Sequence, residues 1–132
     1  MTEHRLEGSP IVYYISGKEH AEWVLFIHAA FADHAMFSSQ EEYFNDKYNV
    51  LTLDLIGHGK SLDTKKGDSI AMTADWIKGI FDKEGIAKAH IVGVSLGAVI
   101  AQCFAGKYPE AVGSLACFGG YDINNCDPQL QK

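Results

Sequence analysis

Three cysteines occur in the 132 residues, Cys103, Cys117 and Cys126, and their odd number and wide spacing fit neither a disulfide framework nor a zinc site. Reduced thiols are the simpler reading, and they point to a cytoplasmic setting, with Cys103 and Cys117 expected in the core because they fall in apolar segments. Positive charge is scarce: 11 lysines and arginines face 17 acidic residues, a net charge of -6. That balance argues against nucleic acid and against an anionic membrane as partners. No apolar run approaches the roughly 18 residues of a membrane span, and the polar stretch Met1 to Pro10 does not read as a signal peptide. No H-E-x-x-H motif or carboxylate cluster suggests a metal, and no cofactor is expected. No histidine follows His90.

What is present is ordinary globular material, 47% hydrophobic and 21% charged. Without repeats, low-complexity tracts or a linker, residues 1–132 read as one domain. A chain of this size buries roughly two-thirds of its unfolded surface. Ile11 to Ser16, Trp23 to Ile27, Tyr48 to Leu55, Ala89 to Val94 and Val112 to Phe118 are short and apolar or β-branched, and read as strands. Asp33 to Tyr43 reads as a helix with Asp33 as N-cap. Ile70 to Lys83 places Ile70, Ala74, Ile77 and Phe81 on one helical face, and Gly85 follows as a stop signal. Leu96 to Lys107 reads as a third helix, with Leu96, Val99, Ile100, Cys103 and Phe104 on one face and Pro109 beyond its end. Gly57 to Gly67 is a loop. Strands that alternate with helices imply right-handed crossovers and an α/β fold, a mostly parallel sheet with helices on both faces. In such sheets the working site lies beyond the C-terminal ends of the strands.

The segment Ile91-Val92-Gly93-Val94-Ser95-Leu96-Gly97-Ala98 carries the most chemistry. It is a strand running into a helix with a serine at the corner, the context that the G-x-S-x-G nucleophile elbow requires. A serine hydroxyl is a weak nucleophile and has to be presented at a sharp turn where a base can reach it. Gly93 and Gly97 leave that turn free of bulk, and the N–H of Leu96 at the helix start can face a developing oxyanion. The plain alternative is that Ser95 caps the helix beginning at Leu96.

With this elbow, two further segments resemble the α/β-hydrolase family. His28-Ala29-Ala30, with Phe37 downstream, looks like the family's His-Gly-x loop, and Asp54-Leu55-Ile56-Gly57-His58-Gly59-Lys60-Ser61 is similar to its D-x-x-G-x-G-x-S segment. The resemblance covers essentially the whole chain but only the N-terminal half of a usual member, so it implies a truncated fold lacking the last strands. It implies Ser95 as nucleophile, the N–H groups of Leu96 and Ala30 as oxyanion hole, and His28, Gly93 and Gly97 as support. Ala29 stands where the family has glycine, which would strain the loop by about 1 kcal/mol if that position needs a positive φ. Asp122 is either the acid of the triad or a plain loop aspartate. The base has no candidate after Ser95.

The reading that follows is a serine hydrolase acting on a small ester-like substrate, its histidine and acid supplied from elsewhere. The alternative is an inactive homologue that binds a partner, either a second copy or the missing C-terminal half, through an open edge at Val112 to Phe118. His28 and His58 lie near the rim but read as structural; His4, His20, His34 and His90 read as surface or loop residues. Gly57 to Ser61 fails as a phosphate loop, because Asp54 stands where a Walker A motif needs glycine. Trp23 and Trp76 read as core.

Overall fold

The structure is a computed structural model that describes residues 1–17, 20–61 and 69–119. Six strands form one sheet: β1 Thr2–Arg5, β2 Val12–Ser16, β3 Trp23–Ile27, β4 Asn49–Asp54, β5 Ala89–Val94 and β6 Val112–Phe118. Their order is β1-β2-β4-β3-β5-β6. The pairs β4/β3, β3/β5 and β5/β6 are parallel, whereas β1/β2 and β2/β4 are antiparallel. The α/β architecture with a mostly parallel sheet is therefore as the alternating pattern implies, extended by an antiparallel edge. Strand β1 lies in the segment Met1 to Pro10. Its residues, Thr-Glu-His-Arg, carry no apolar period; backbone pairing with β2 makes it a strand.

Among the described residues three α-helices join the strands: α1 Ser38–Phe44, α2 Ile70–Glu84 and α3 Leu96–Lys107. The segment expected as one helix from Asp33 divides into a 3-10 turn, His34–Phe37, and the short α1. Asp33 does cap it, accepting from the N–H of Ala35. Ser69 caps α2 by accepting from the N–H of Met72, and Gly85 closes that helix in the left-handed conformation at φ 72°. Both α2 and α3 lie against one face of the sheet. Their Ile77, Ile80, Phe81, Ile100 and Phe104 share a core with Leu25, Ile27, Leu51, Leu53 and Ile91 of the strands. Each such side chain stabilises the fold by about 1.5–3 kcal/mol on burial.

The other face is covered less completely. Phe37 and the partly buried Phe44 and Tyr48 pack on Val24, Phe26 and Val50 of the central strands, with Val92 and Val94 of β5 only partly buried. Strand β6 is the sheet edge among the described residues, and Leu115 and Phe118 on it are 41% and 58% exposed. This edge corrects one expectation: Cys103 is partly buried against the core, but Cys117 is exposed, because among the described residues no strand pairs with the outer edge of β6. Cys126 lies outside the described residues.

Helix α3 sits unusually deep. A Cβ built on Gly97 would lie 2.1 Å from the carbonyl oxygen of Ile27, and one on Gly93 would lie 2.3 Å from the carbonyl oxygen of Gly97. Both obstacles are backbone, so neither can swing aside. Gly97→Ala should therefore lower stability by about 3 kcal/mol. In the same helix Gly106 has nothing within 4 Å, and Gly106→Ala should raise stability by roughly 0.5–1 kcal/mol. Urea unfolding of the two variants checks the contrast.

Candidate active site

Ser95 lies between the end of β5 and the start of α3, at φ 55° and ψ -113°. Positive φ is unfavourable for a residue with a Cβ and is retained only where the surroundings impose it. Here they do. The N–H of Ser95 donates to the carbonyl of Phe118 at 2.8 Å, and its own carbonyl accepts from the N–H groups of Ala98 and Val99. The side chain is exposed and caps nothing, so the helix-cap alternative for Ser95 is not what the structure contains. Leu96 begins α3, and the first N–H groups of a helix have no intrahelical acceptor.

The loop after β3 reaches the same rim. His28 is fully buried. Its Nε2 accepts from the N–H of Leu55 at 2.9 Å, which places the ring proton on Nδ1, and Nδ1–H donates to the carbonyl of Ala29 at 2.7 Å. Burial holds this imidazole below the usual histidine range, outweighing the acceptor at Ala29. His28 is thus a neutral strut between the ends of β3 and β4, with both nitrogens engaged. Ala29 does not carry the positive φ for which a glycine would be needed; that falls on Phe31, at 64°. Ala30 is exposed, and Phe31 is fully exposed.

Asp54 organises the third segment. Its carboxylate is completely buried and takes four hydrogen bonds: the N–H of His34 at 2.9 Å, His34 Nδ1 at 2.7 Å, Tyr14 Oη at 2.8 Å and the N–H of Lys60 at 3.0 Å. Burial alone would raise its pKa, but the N–H of Lys60, the two donors of His34 and Tyr14 together hold it below the usual carboxylate range. Gly59 has to be glycine, because a Cβ there would lie 2.4 Å from the Asp54 carboxyl carbon. Ser61, also buried, accepts from the N–H of Val12 at 2.8 Å and so ties the loop to β2. The carboxylate is a structural anchor of the loop, which explains its glycine spacing without any phosphate. His58 rests its Nδ1 against the carbonyl of Ile56.

Asp33, His34 and Asp54 bring three ligand-type atoms within 4.8 Å. Asp33 caps the 3-10 turn, and the Asp54 and His34 atoms bond one another. His34, which in sequence has the marks of a surface or loop residue, stacks on Tyr14 with ring centroids 3.6 Å apart. Nothing in the local pattern marks it, since its partners lie on β2 and β4. Asp122 falls outside the described residues.

Beside the elbow is a cavity of about 90 Å³ lined by Leu55, Ile56, His58, Ile70, Leu96 and Ile100 among others. That is well short of the roughly 300 Å³ of ordinary ligand pockets. A larger cavity of about 300 Å³, with Thr2, Ile15, Trp23 and Glu84 in its lining, lies at the opposite ends of the strands and holds no elbow residue.

A profile of the alpha/beta hydrolase fold matches residues 22–131, and the chain belongs to that family. It is 38% identical over 96 residues to the dihydrolipoyllysine-residue acetyltransferase component of the acetoin cleaving system of Cupriavidus necator, covering 73% of this chain and 26% of that protein. It is 31% identical over 102 residues to the uncharacterized carboxylesterase nap of Bacillus subtilis, covering 76% of this chain and 34% of that one. Among solved structures, a bacterial membrane phospholipase A described as a virulence factor superposes with a TM-score of 0.83 at 27% identity, over 92% of this chain and 40% of that chain. The chain spans about a quarter to a third of the length of these curated relatives. No helix among the described residues is long and apolar enough to cross a membrane.

The buried His28 and Asp54 predict an acid dependence of stability in two stages. Folding lowers the His28 pKa, so its contribution is complete above the ordinary value of 6.5 and is lost as pH falls below it. Folding also lowers the Asp54 pKa, so its contribution is complete above about pH 4 and is lost as pH falls through the folded value. Urea midpoints measured from pH 8 to pH 2.5 should fall in both ranges. His28→Gln should flatten the upper stage and Asp54→Asn the lower.

Proposed function

We propose that this chain carries the nucleophile of a serine hydrolase acting on an ester-like carbonyl. The observation that supports this most directly is the exposed, uncapped Ser95 held at φ 55° between β5 and α3. In this reading Ser95 Oγ attacks the carbonyl carbon and forms an acyl-enzyme, which water then hydrolyses. The N–H groups of Leu96 and Ala30 receive the developing oxyanion. His28, Gly93 and Gly97 hold those groups in place, and the exposed Phe31 offers its ring to the substrate at the rim. No described residue accepts a hydrogen bond from Ser95 Oγ, and no histidine follows His90 in the sequence. In this reading the general base comes from a C-terminal segment or from a second chain, and the acid is either Asp122 or has the same source. A cytoplasmic setting suits the acidic, thiol-bearing chain. The test is a fluorophosphonate probe applied to this chain alone and to the chain joined to the C-terminal part of a family member. Labelling at Ser95 should rise at least ~100-fold on joining, the order expected when a general base is added, and vanish in Ser95→Ala. No labelling in the joined protein would sink the reading.

A second reading is favoured by β6. An exposed edge strand carrying Leu115 and Phe118 is a template for pairing. In this reading the chain is inactive and binds through β6, either to a second copy or to a C-terminal half of the family fold. Size-exclusion chromatography should then give a dimer or larger species that Leu115→Lys and Phe118→Lys convert to monomer. A monomer at every concentration counts against it.

A further inference from the structure

A second serine sits against a second imidazole, far from the elbow. His90 near the start of β5 and Ser114 near the start of β6 are register partners, with their side chains on the less covered face of the sheet. His90 Nδ1 and Ser114 Oγ are 2.7 Å apart. On the other side of the ring, His90 Nε2 lies 3.7 Å from Oε1 of Glu22. A carboxylate cannot donate, so it favours the tautomer with the proton on Nε2, which leaves Nδ1 as an acceptor for the Ser114 hydroxyl. The ring is held by the Tyr48 edge, with centroids 6.0 Å apart, and lies over Gly113, where a Cβ would come 3.5 Å from its Cε1. Beside the pair is a cavity of about 280 Å³ lined by Val24, Phe26, Phe44, Tyr48 and Val92 as well as His90 and Ser114. A hydroxyl on an imidazole, a carboxylate behind it and an apolar recess in front form the constellation of an activated nucleophile.

We propose that Ser114, His90 and Glu22 form a second acyl-accepting site, which takes small activated esters whose apolar acyl chain fits the recess between Phe26, Phe44 and Val92. In the step, Ser114 Oγ bonds to the ester carbonyl carbon and its proton passes to His90 Nδ1. The carbon–oxygen bond to the aryl leaving group then breaks, and the aryloxide takes that proton. One ester and one serine become one acyl-serine and one phenol, with no change of oxidation state. Glu22 closes on Nε2 as the imidazolium forms, since such contacts are long in unliganded sites and tighten during reaction. Strand β5 separates this site from the elbow: His90 stands near its start, and Ser95 follows its end. Neither site needs the other.

The experiment uses the whole chain with Ser95→Ala, so that the elbow is silent, treated with p-nitrophenyl butyrate and separately with a fluorophosphonate, each adduct located by peptide mass spectrometry. A single adduct on Ser114 is expected. Its rate of formation should fall ~100-fold in His90→Gln, the scale of general-base loss, and less in Glu22→Gln, whose side chain is largely exposed. Circular dichroism of each variant reports folding, and the exposed Glu22 gives a variant that leaves packing intact. No adduct at Ser114, a rate unchanged in both variants, or adducts spread over Ser38, Ser39 and Ser114 alike would overturn the proposal. Adducts at Ser95 but not Ser114 in the unsubstituted chain refute this site and spare the elbow reading; the reverse pattern supports this site and leaves the elbow reading, which is tested in the joined protein, untouched.

Discussion

The contact on which the rest of this structure depends is backbone against backbone, where α3 enters over the end of β3. With no side chain at Gly97, the helix approaches the carbonyl of Ile27 so closely that even a methyl group is excluded. Gly93, near the end of β5, makes the same allowance against Gly97 itself. The chain between them has no room to turn gently, and Ser95 takes up the bend at φ 55°. Such a conformation costs of order 1–3 kcal/mol. The burial of Val99, Ile100 and Phe104 behind it offsets that cost several times over. Exposure of Ser95 is thus a by-product of close packing, fixed by the stable part of the molecule rather than by a loop.

The rim around that corner is stiffened by groups which elsewhere do chemistry. His28 and Asp54 are both completely buried, and each spends its hydrogen-bonding capacity on the ends of neighbouring strands and the loops that leave them. An imidazole between two backbone groups cannot also take a proton from a hydroxyl, and a carboxylate with four donors has no lone pair to spare. Ser61 does similar service toward β2. Removing one partner would leave a buried polar atom unmatched, so the network is either complete or costly.

Elements whose signal is local were legible in the sequence. Strand β5, α3 and β6 lie where the apolar runs and flanking glycines put them, and Gly85 ends α2 one residue beyond the expected Lys83. The elbow was legible for the same reason, because steric need writes glycine into the chain. Features that depend on distant partners were not. Strand β1 exists through its backbone pairing with β2. Helix α1 was expected to be longer, yet it buries none of its residues and so has little tertiary packing to extend it. Cys117 has the neighbours of a core residue in sequence but stands on an edge in space. His34 and His90 read as unremarkable surface residues, because Tyr14, Asp54 and Ser114 reach them only after folding.

The sheet order sets a constraint in time as well as in space. The central parallel strand β3 is flanked by β4 and β5, and its register partner Ala89 follows Trp23 only after β4 and α2 have intervened. During synthesis the run Trp23 to Ile27 therefore emerges long before either neighbour can seal it. Pairings so far apart along the chain form slowly, because loop closure precedes any reward. A hydrophobic, β-prone segment waits unpaired through that interval, which is the condition under which nascent chains stick to one another or to a chaperone. A strand that ends enclosed in the middle of the sheet is thus one that needs protection on the ribosome.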